Sequence, residues 1–256
     1  MPKYDMNLRP IHYASVSGGK DSLFMLNLIL HNLDKYPLDM IVNFELEIDW
    51  PFAKNVIDYI ERESSKLGIK FVRIKPRKSW YDLKDKYKIP TRTSRWCNSD
   101  YKLDCKKQLN EWIKSLNCRP LAYIGFCADE QKRFKYDIGD WKNQDVCYPL
   151  AEEGITEIEI LKWARTVDIF DGWYKSFERQ GCMFCPFANK KALAFIKKHY
   201  PDKYDYWINE IREWEKNAPE NTNYKYYYDR PIDLVDKQID EKYMHKLEPV
   251  KHKKLF

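Results

Sequence analysis

Ile11-His12-Tyr13-Ala14-Ser15-Val16-Ser17-Gly18-Gly19-Lys20-Asp21-Ser22, continuing into Leu23-Phe24-Met25-Leu26-Asn27-Leu28-Ile29-Leu30, decides how this chain is read. The first part is short, largely apolar and partly β-branched, as a buried strand is. Two glycines then permit a tight turn, and the apolar run beyond them suits a helix. Such a junction is built for a phosphate: glycines let the backbone come close, the helix start turns N–H groups and its positive dipole end outward, and Lys20 adds a full charge. Ser17, Gly18, Gly19, Lys20, Asp21 and Ser22 are therefore candidate binding residues, and a pyrophosphate is the expected object. Lys20 and Asp21 are also candidate catalytic groups, expected to serve the nucleotide rather than the fold. The spacing is not that of the longer Gly-x4-Gly-Lys-Ser/Thr phosphate loop.

Outward from this junction, Met40 to Phe44 reads as a second strand, and Trp50-Pro51 opens a helical pattern carried by Val56, Ile57, Ile60 and Leu67 and ended by Gly68. Ile69 to Ile74 and Pro120 to Phe126 read as third and fourth strands, with a charged helical stretch from Tyr101 to Leu116 between them. Strands alternating with helices predict an α/β fold over residues 1–150: a twisted parallel sheet with helices on both faces. After Tyr148-Pro149-Leu150, residues 151–256 read as a mostly helical region. Thr156 with Glu159 is a capping-box signature, and Ile158, Leu161, Ala164 and Val167 are expected to share a face. Tyr204, Trp207, Ile208, Ile211 and Trp214 form a further apolar stripe, and residues 217–229 read as a polar loop leading to a tyrosine cluster.

With 256 residues, 44% hydrophobic and 33% charged, and 9 Trp, 19 Tyr and 12 Phe among them, the chain has the composition of a folded protein rather than a disordered one. No run reaches the roughly 18 apolar residues of a membrane helix, and the start lacks a secretory apolar core, so a soluble, cytoplasmic protein without a membrane partner is expected. The net charge is +6, and from Glu241 onward five Lys stand against two Glu. A tail of this kind suits a polyanion such as DNA or RNA, or is simply a solvated terminus.

Seven cysteines, an odd number, fit metal or redox chemistry better than a disulfide framework. Gly181-Cys182-Met183-Phe184-Cys185-Pro186 places two thiols three residues apart, a spacing that holds one metal or adjacent cluster irons with little strain. Further thiolates are needed, and Cys97 and Cys105, eight residues apart, have a usable spacing. Four thiolates suit zinc as well as a cluster. Cys118, Cys127 and Cys147 read as plain buried cysteines. Arg92, Arg95 and Lys102 bracket Cys97 and predict a positive mouth suited to a phosphate or sulfate on a second substrate. Asp129, Glu130 and Arg133 follow the fourth strand at its carboxyl end, where open α/β sheets place their ligands. The two acids there are expected to hold Mg2+ or to polarise a substrate group, or else to form a salt-bridged loop.

SGGKDS in this setting resembles the PP-loop of the ATP pyrophosphatase superfamily, and more of the chain resembles its phosphoadenosine phosphosulfate (PAPS) reductase branch. The matching stretches are Arg95-Trp96-Cys97, Tyr101-Lys102-Leu103, Ile124 to Glu130 with Arg133, Tyr148-Pro149-Leu150, and Gly181 to Phe187. Order and spacing are most similar to the compact members found in phage and mobile elements, which resemble the sulfur-transfer subunit of DNA phosphorothioation systems. The resemblance implies an adenine nucleotide alpha hydrolase-like fold and cleavage of ATP to AMP and pyrophosphate. That cleavage would be coupled to sulfur transfer, with Ser17 to Ser22, Arg95, Lys102 and Arg133 binding the nucleotide. It further implies a 4Fe-4S cluster on Cys97, Cys182 and Cys185, closed by Cys105 or left with one open iron, and a sulfur- or electron-donor protein as partner. Relatives often carry Asp-Thr-Gly-x-Glu after the second strand, where this chain has Glu45-Leu46-Glu47-Ile48-Asp49. An alternative in the same family is reduction of an adenosine sulfonucleotide, whose tail cysteine has no counterpart after Cys185 here. A noncatalytic nucleotide- or nucleic-acid-binding module is a third reading.

Overall fold

Pro10–Val16 forms β1, the middle strand of a five-stranded sheet, in a computed structural model that describes residues 5–135, 145–179, 181–183, 185–217 and 231–247. On one side β1 pairs with β2 (Met40–Phe44), which pairs with β3 (Lys70–Ile74). On the other it pairs with β4 (Arg119–Tyr123), which pairs with β5 (Val146–Cys147). Every pairing is parallel, and the register sets Tyr13 beside both Met40 and Ala122. The order β3-β2-β1-β4-β5 sends the chain from β1 to one edge and brings it back to the other side of β1. The carboxyl ends of β1 and β4 are thus the switch point, where an open α/β sheet leaves a crevice.

The described residues carry ten α-helices: α1 (Lys20–Leu30), α2 (Pro51–Lys66), α3 (Trp80–Tyr87), α4 (Leu103–Ser115), α5 (Pro149–Glu152), α6 (Glu157–Ala164), α7 (Trp173–Ser176), α8 (Lys190–His199), α9 (Pro201–Lys216) and α10 (Ile232–Lys242). They fall into two units. Met1–Leu46, Pro51–Arg77 and Lys102–Thr166 make the first; Glu47–Trp50, Lys78–Tyr101 and Val167–Phe256 make the second.

In the first unit the pleat sends alternate side chains to opposite faces. Ile11, Tyr13, Met40, Val42 and Ala122 pack with Leu109 and Ile113 of α4. Ala14, Val16 and Ile41 are buried on the other face, where α1 lies against β1 and buries Met25, Leu26 and Ile29. Each of these helix side chains is worth about 2 kcal/mol over exposure. The first three strands lie where the sequence places them, to within a residue, and β4 ends early, at Tyr123, although the Ile124 N–H still donates to the Cys147 carbonyl of β5 at 3.0 Å. Leu67 is 63% exposed, since α2 stops at Lys66 and Gly68 turns the chain away at φ +70°. Ile158 is likewise exposed; the inward face of α6 is Ile160, Leu161 and Ala164, one step round from the expected stripe. Cys127 and Cys147 are buried as expected, whereas Cys118 is only partly so.

The second unit is held by aromatic packing and by ion pairs, among which Asp236 makes the most contacts between helices. Trp50, 1% exposed, lies 5.9 Å from Phe177 and 6.0 Å from Phe195, ring centre to ring centre. Tyr204, Trp207, Ile208 and Ile211 of the expected α9 stripe are buried, and Trp214 is half-buried. It lines an open cleft of about 650 Å3 with Tyr87, Lys88 and Glu213. Asp236 of α10 accepts from Lys197 Nζ of α8 at 2.7 Å and from Tyr204 Oη and Arg212 of α9 at 2.8 and 3.0 Å. The expected tyrosine-rich loop past Asn217 and the lysine-rich end beyond Leu247 lie outside the described residues. Among the described residues no helix is long and apolar enough to cross a membrane.

Burial pushes the Asp236 carboxyl upward, but hydrogen bonds from Lys197 and Tyr204 and the charge of Arg212 outweigh it and hold it below its ordinary value of 3.8. Its stabilisation is therefore complete above that ordinary value and is lost as pH falls through the lower folded-state value. Asp236→Asn should lower the unfolding free energy by about 2 kcal/mol at neutral pH. Denaturant titrations should show the gap to wild type closing as the pH is taken from about 5 toward 2; a gap independent of pH would remove the carboxylate from this role.

Candidate functional site

The loop after β1 is fixed from three directions, all within the first unit. Asn43 of β2 donates through Nδ2 to the Val16 carbonyl at 2.9 Å, a buried bond that pins the end of the strand. The Ser17 N–H donates to Ser22 Oγ at 3.2 Å, and that hydroxyl donates to the Gly19 carbonyl at 3.0 Å, so the loop closes on itself. Gly18 has φ +71°, and a Cβ there would stand 2.5 Å from the Ala53 carbonyl oxygen of α2. Only glycine satisfies both conditions. Gly125, just past β4, lies so close to the start of α1 that a Cβ would meet the Asp21 carbonyl oxygen at 3.0 Å.

Lys20 is 1% exposed, and its ammonium donates to Asp21 Oδ1 at 2.7 Å and to Glu157 Oε1, on the first residue of α6, at 3.3 Å. A buried ammonium needs such partners, because an uncompensated charge in the interior costs several kcal/mol. Without a bound anion, the Lys20 charge is met by these two carboxylates. Burial raises the Asp21 carboxyl above its ordinary range, against the pull of Lys20. Cys127 Sγ lies 3.9 Å from Asp21 Oδ1, and burial, followed by the charges of Asp21 and Glu130, pushes its thiol up to about 12.

Asp129, Glu130 and Arg133 sit on a 3-10 turn, Ala128–Arg133, immediately after the β4 loop. Asp129 accepts the Glu157 N–H at 3.1 Å and so caps α6; Glu130 pairs with Arg133 and accepts the Cys127 N–H. The Arg133 guanidinium lies 4.0 Å from the Phe126 ring centre. Both carboxylates thus already accept from protein donors. Helix N-terminus, ammonium and acids together suit an anion with a bound cation, provided the anion displaces a carboxylate from Lys20.

The thiols divide between the units. Cys105 is fully buried in α4 of the first, on the face that carries Leu109 and Ile113, and Lys102 is exposed there. In the second unit, Cys97 opens a π-helical segment, Cys97–Lys102, and Cys182 and Cys185 form a turn in which the Cys185 N–H donates to the Cys182 carbonyl at 3.2 Å. The Met183 N–H fastens this turn to the Ile48 carbonyl at 3.0 Å. A Cβ on Gly181 would lie 3.4 Å from the Cys185 Cβ and 3.7 Å from its sulfur, in ordinary contact with the thiol. Burial, then the neighbouring Cys185, pushes the Cys97 thiol up to about 11, while Arg95 acts the other way. The donor chemistry of Cys97, Cys182 and Cys185 fits a thiophilic metal or cluster. Among the described residues no three His, Cys, Asp or Glu side chains form a metal-binding group.

In the acid-rich segment after β2, Glu47 accepts from the Tyr101 hydroxyl at 3.3 Å and Glu45 lies 3.6 Å from Lys75. Sequence reasoning missed Glu157 and the nearness of Cys127 to Asp21. Glu157 stands inside a capping box that had already explained its neighbours, so nothing local marks it.

Replacing Gly18 and Gly154 separately by Ala tests the close packing of the loop. Both have φ +71°, but a Cβ at Gly154 meets nothing within 4 Å. Gly154→Ala should cost about 1 kcal/mol from backbone strain alone, and Gly18→Ala about 2 kcal/mol more from the clash with α2. Equal costs in thermal or denaturant unfolding would mean that Ala53 does not confine the loop.

No protein-family model matches the chain. The uncharacterized proteins MJ0973 and MJ0066 of Methanocaldococcus jannaschii are 26% and 29% identical to it over 205 and 217 residues, covering 78% and 82% of this chain. It spans only 47% and 43% of their lengths, so these relatives are more than twice as long as the part they share with it. Among solved structures, the U34-tRNA thiolase NcsA from Methanococcus maripaludis with its 4Fe-4S cluster superposes at a TM-score of 0.42 and 17% identity, over 95% of this chain and 84% of that one. A likeness that loose carries no argument about chemistry, which rests on the residues described above.

Proposed function

We propose that the chain is an ATP-dependent sulfur-transfer enzyme of the PP-loop ATP pyrophosphatase type, with a PAPS reductase-like arrangement of its remaining motifs. The observation that carries this reading is the Ser17–Ser22 loop at the switch point of β1 and β4, where Gly18 and Gly125 draw α2 and the β4 loop onto the start of α1. The β and γ phosphates of ATP lie on the first-turn N–H groups of α1. Lys20 would exchange Glu157 for a phosphate oxygen, and Asp129 and Glu130 are the carboxylates that would hold an accompanying Mg2+, which would neutralise phosphate charge. An oxygen of the acceptor attacks the α phosphorus, the bond to the bridging oxygen breaks, and pyrophosphate leaves. A sulfur nucleophile from a donor then attacks the adenylated centre, the bond to the AMP oxygen breaks, and AMP leaves with that oxygen.

Cys97, Cys182 and Cys185 would hold a 4Fe-4S cluster, with Cys105 as the fourth ligand or an iron left open; zinc is the other metal these thiolates suit. When bound, such a cluster supplies a site for sulfide or a relay for electrons. Arg92 and Arg95 beside Cys97, with Lys102, support a phosphate-bearing acceptor, a nucleic acid or nucleotide.

ATP binding tests the loop. Glu157→Gln should tighten it severalfold by removing the carboxylate that competes for Lys20, whereas Lys20→Ala should weaken it at least about tenfold, the size of a lost charge-assisted contact. Unchanged affinity in both would sink the nucleotide assignment. With α-labelled ATP, sulfide and an acceptor under anaerobic conditions, AMP should form only when the acceptor is present. Sulfite released from an adenosine sulfonucleotide, with no AMP formed from ATP, would establish a reductase instead.

The metal is tested separately. Cys97→Ser, Cys182→Ser and Cys185→Ser should each bleach the cluster absorption of anaerobically prepared protein, and Cys118→Ser should not. Full iron content in Cys105→Ser would select the open-iron geometry, and stoichiometric zinc without iron would replace the cluster by a structural metal.

A further inference from the structure

On the turn that carries two of the second unit's thiols, an aromatic ring faces solvent beneath two guanidinium groups. Phe187, two residues past Cys185, is 48% exposed, and the Arg92 and Arg95 guanidinium carbons lie 4.9 and 5.0 Å from its ring centre. Arg92 is fastened in place through Nε, which donates to the Pro186 carbonyl at 3.0 Å. Arg95 is exposed, two residues before Cys97, and has no carboxylate partner among the described residues. A guanidinium stacked on a ring keeps its N–H edges turned outward, where they match phosphate oxygens in a forked geometry.

Ring and cations must be explained together. A small anion would use the guanidinium edges and leave the ring idle. A protein partner needs far more apolar area than one phenyl group, and a duplex hides the faces of its bases. A single strand offers what this surface matches: flat bases that stack on aromatic rings and on guanidinium planes, alternating with phosphates. We propose that Phe187, Arg92 and Arg95 form a docking platform for single-stranded nucleic acid, with bases stacked on the exposed ring and guanidinium planes and a phosphate held by the Arg95 guanidinium edge. The platform lies on the same turn as Cys182 and Cys185, so a docked strand is delivered to the thiols. This purpose rests on the sulfur-transfer reading; the binding itself does not.

The test is fluorescence anisotropy of labelled 12-nucleotide RNA and DNA strands with the full chain, at several salt concentrations. Phe187→Ala should weaken binding about tenfold, and Phe187→Trp should restore it. Arg95→Ala should weaken binding and reduce the slope of log affinity against log salt by about 0.7, the signature of one lost phosphate contact on a single strand. All three residues are at or near the surface, and thermal melts matching wild type would exclude misfolding. Lys66→Ala, on the exposed end of α2, is the control and should change neither quantity. Wild-type affinity in Phe187→Ala and Arg95→Ala overturns the proposal, as does competition by adenosine sulfonucleotide or inorganic sulfate at the phosphate concentration of the strand. Strand binding that depends on Phe187 in a protein that fails to bind ATP would sink the sulfur-transfer reading and leave the platform standing.

Discussion

An ammonium group shut away from water dictates the geometry at the centre of the first unit. Lys20, at 1% exposure, is tolerable only because Asp21 and Glu157 surround its charge, and those carboxylates come from the starts of two different helices, α1 and α6. To bring them together, α1 must begin hard against the end of β1 and α6 must return to the same place from beyond β5. The other contacts serve that convergence. Asp129 caps α6 at Glu157, Gly125 lets the β4 loop touch the Asp21 backbone, and Gly18 lets α2 approach the loop. Desolvating one charge thus recruits four segments of the chain to the switch point of the sheet.

The second unit carries Cys97, Cys182 and Cys185, each partly exposed. Its core is a group of aromatic rings around Trp50, and its helices α8, α9 and α10 are tied by the ion pairs of Asp236. The Cys182–Cys185 turn is attached to Ile48 through a backbone bond from Met183, and Cys97 stands at the start of a π-helical segment. The thiols of Cys97, Cys182 and Cys185 are partly exposed, whereas Cys105, Cys127 and Cys147 are buried, Cys127 beside Asp21 and Cys147 donating to Glu152.

Most of the sheet was legible because the inner strands β1, β2 and β4 are short runs rich in apolar residues, as strands covered on both faces are. The glycine loop was legible for a related reason: its residues are constrained by local backbone geometry, which sequence records directly. What escaped is tertiary or too short to have a period. β5 has two residues, and α3, Trp80–Tyr87, carries a capping box of Ser79 and Asp82 but only two buried side chains. Ile158 and Leu67 were assigned to buried faces because an apolar residue at helical spacing reads the same whether the helix has turned one step or already ended. Glu157 was invisible in principle, since an acid at a helix start is ordinary until an ammonium 137 residues earlier in the chain is seen beside it.

Charge is the clearest case in which position outweighs composition. A net +6 suggests a basic surface, yet many cations of this chain are spent on carboxylates: Lys20, Arg73, Arg77, Lys84, Lys197 and Arg212 all sit in ion pairs. Such pairs hold helices and strands together and present little field to a distant anion, because the partner's charge cancels theirs beyond a few ångströms. Arg95 differs from them in kind, being an exposed cation set on an aromatic ring rather than against an acid. A ring stabilises the guanidinium without neutralising it, so the charge remains available to whatever approaches the thiol turn. Recognition of a polyanion therefore depends less on the formal excess than on where the protein has left a cation supported but uncompensated.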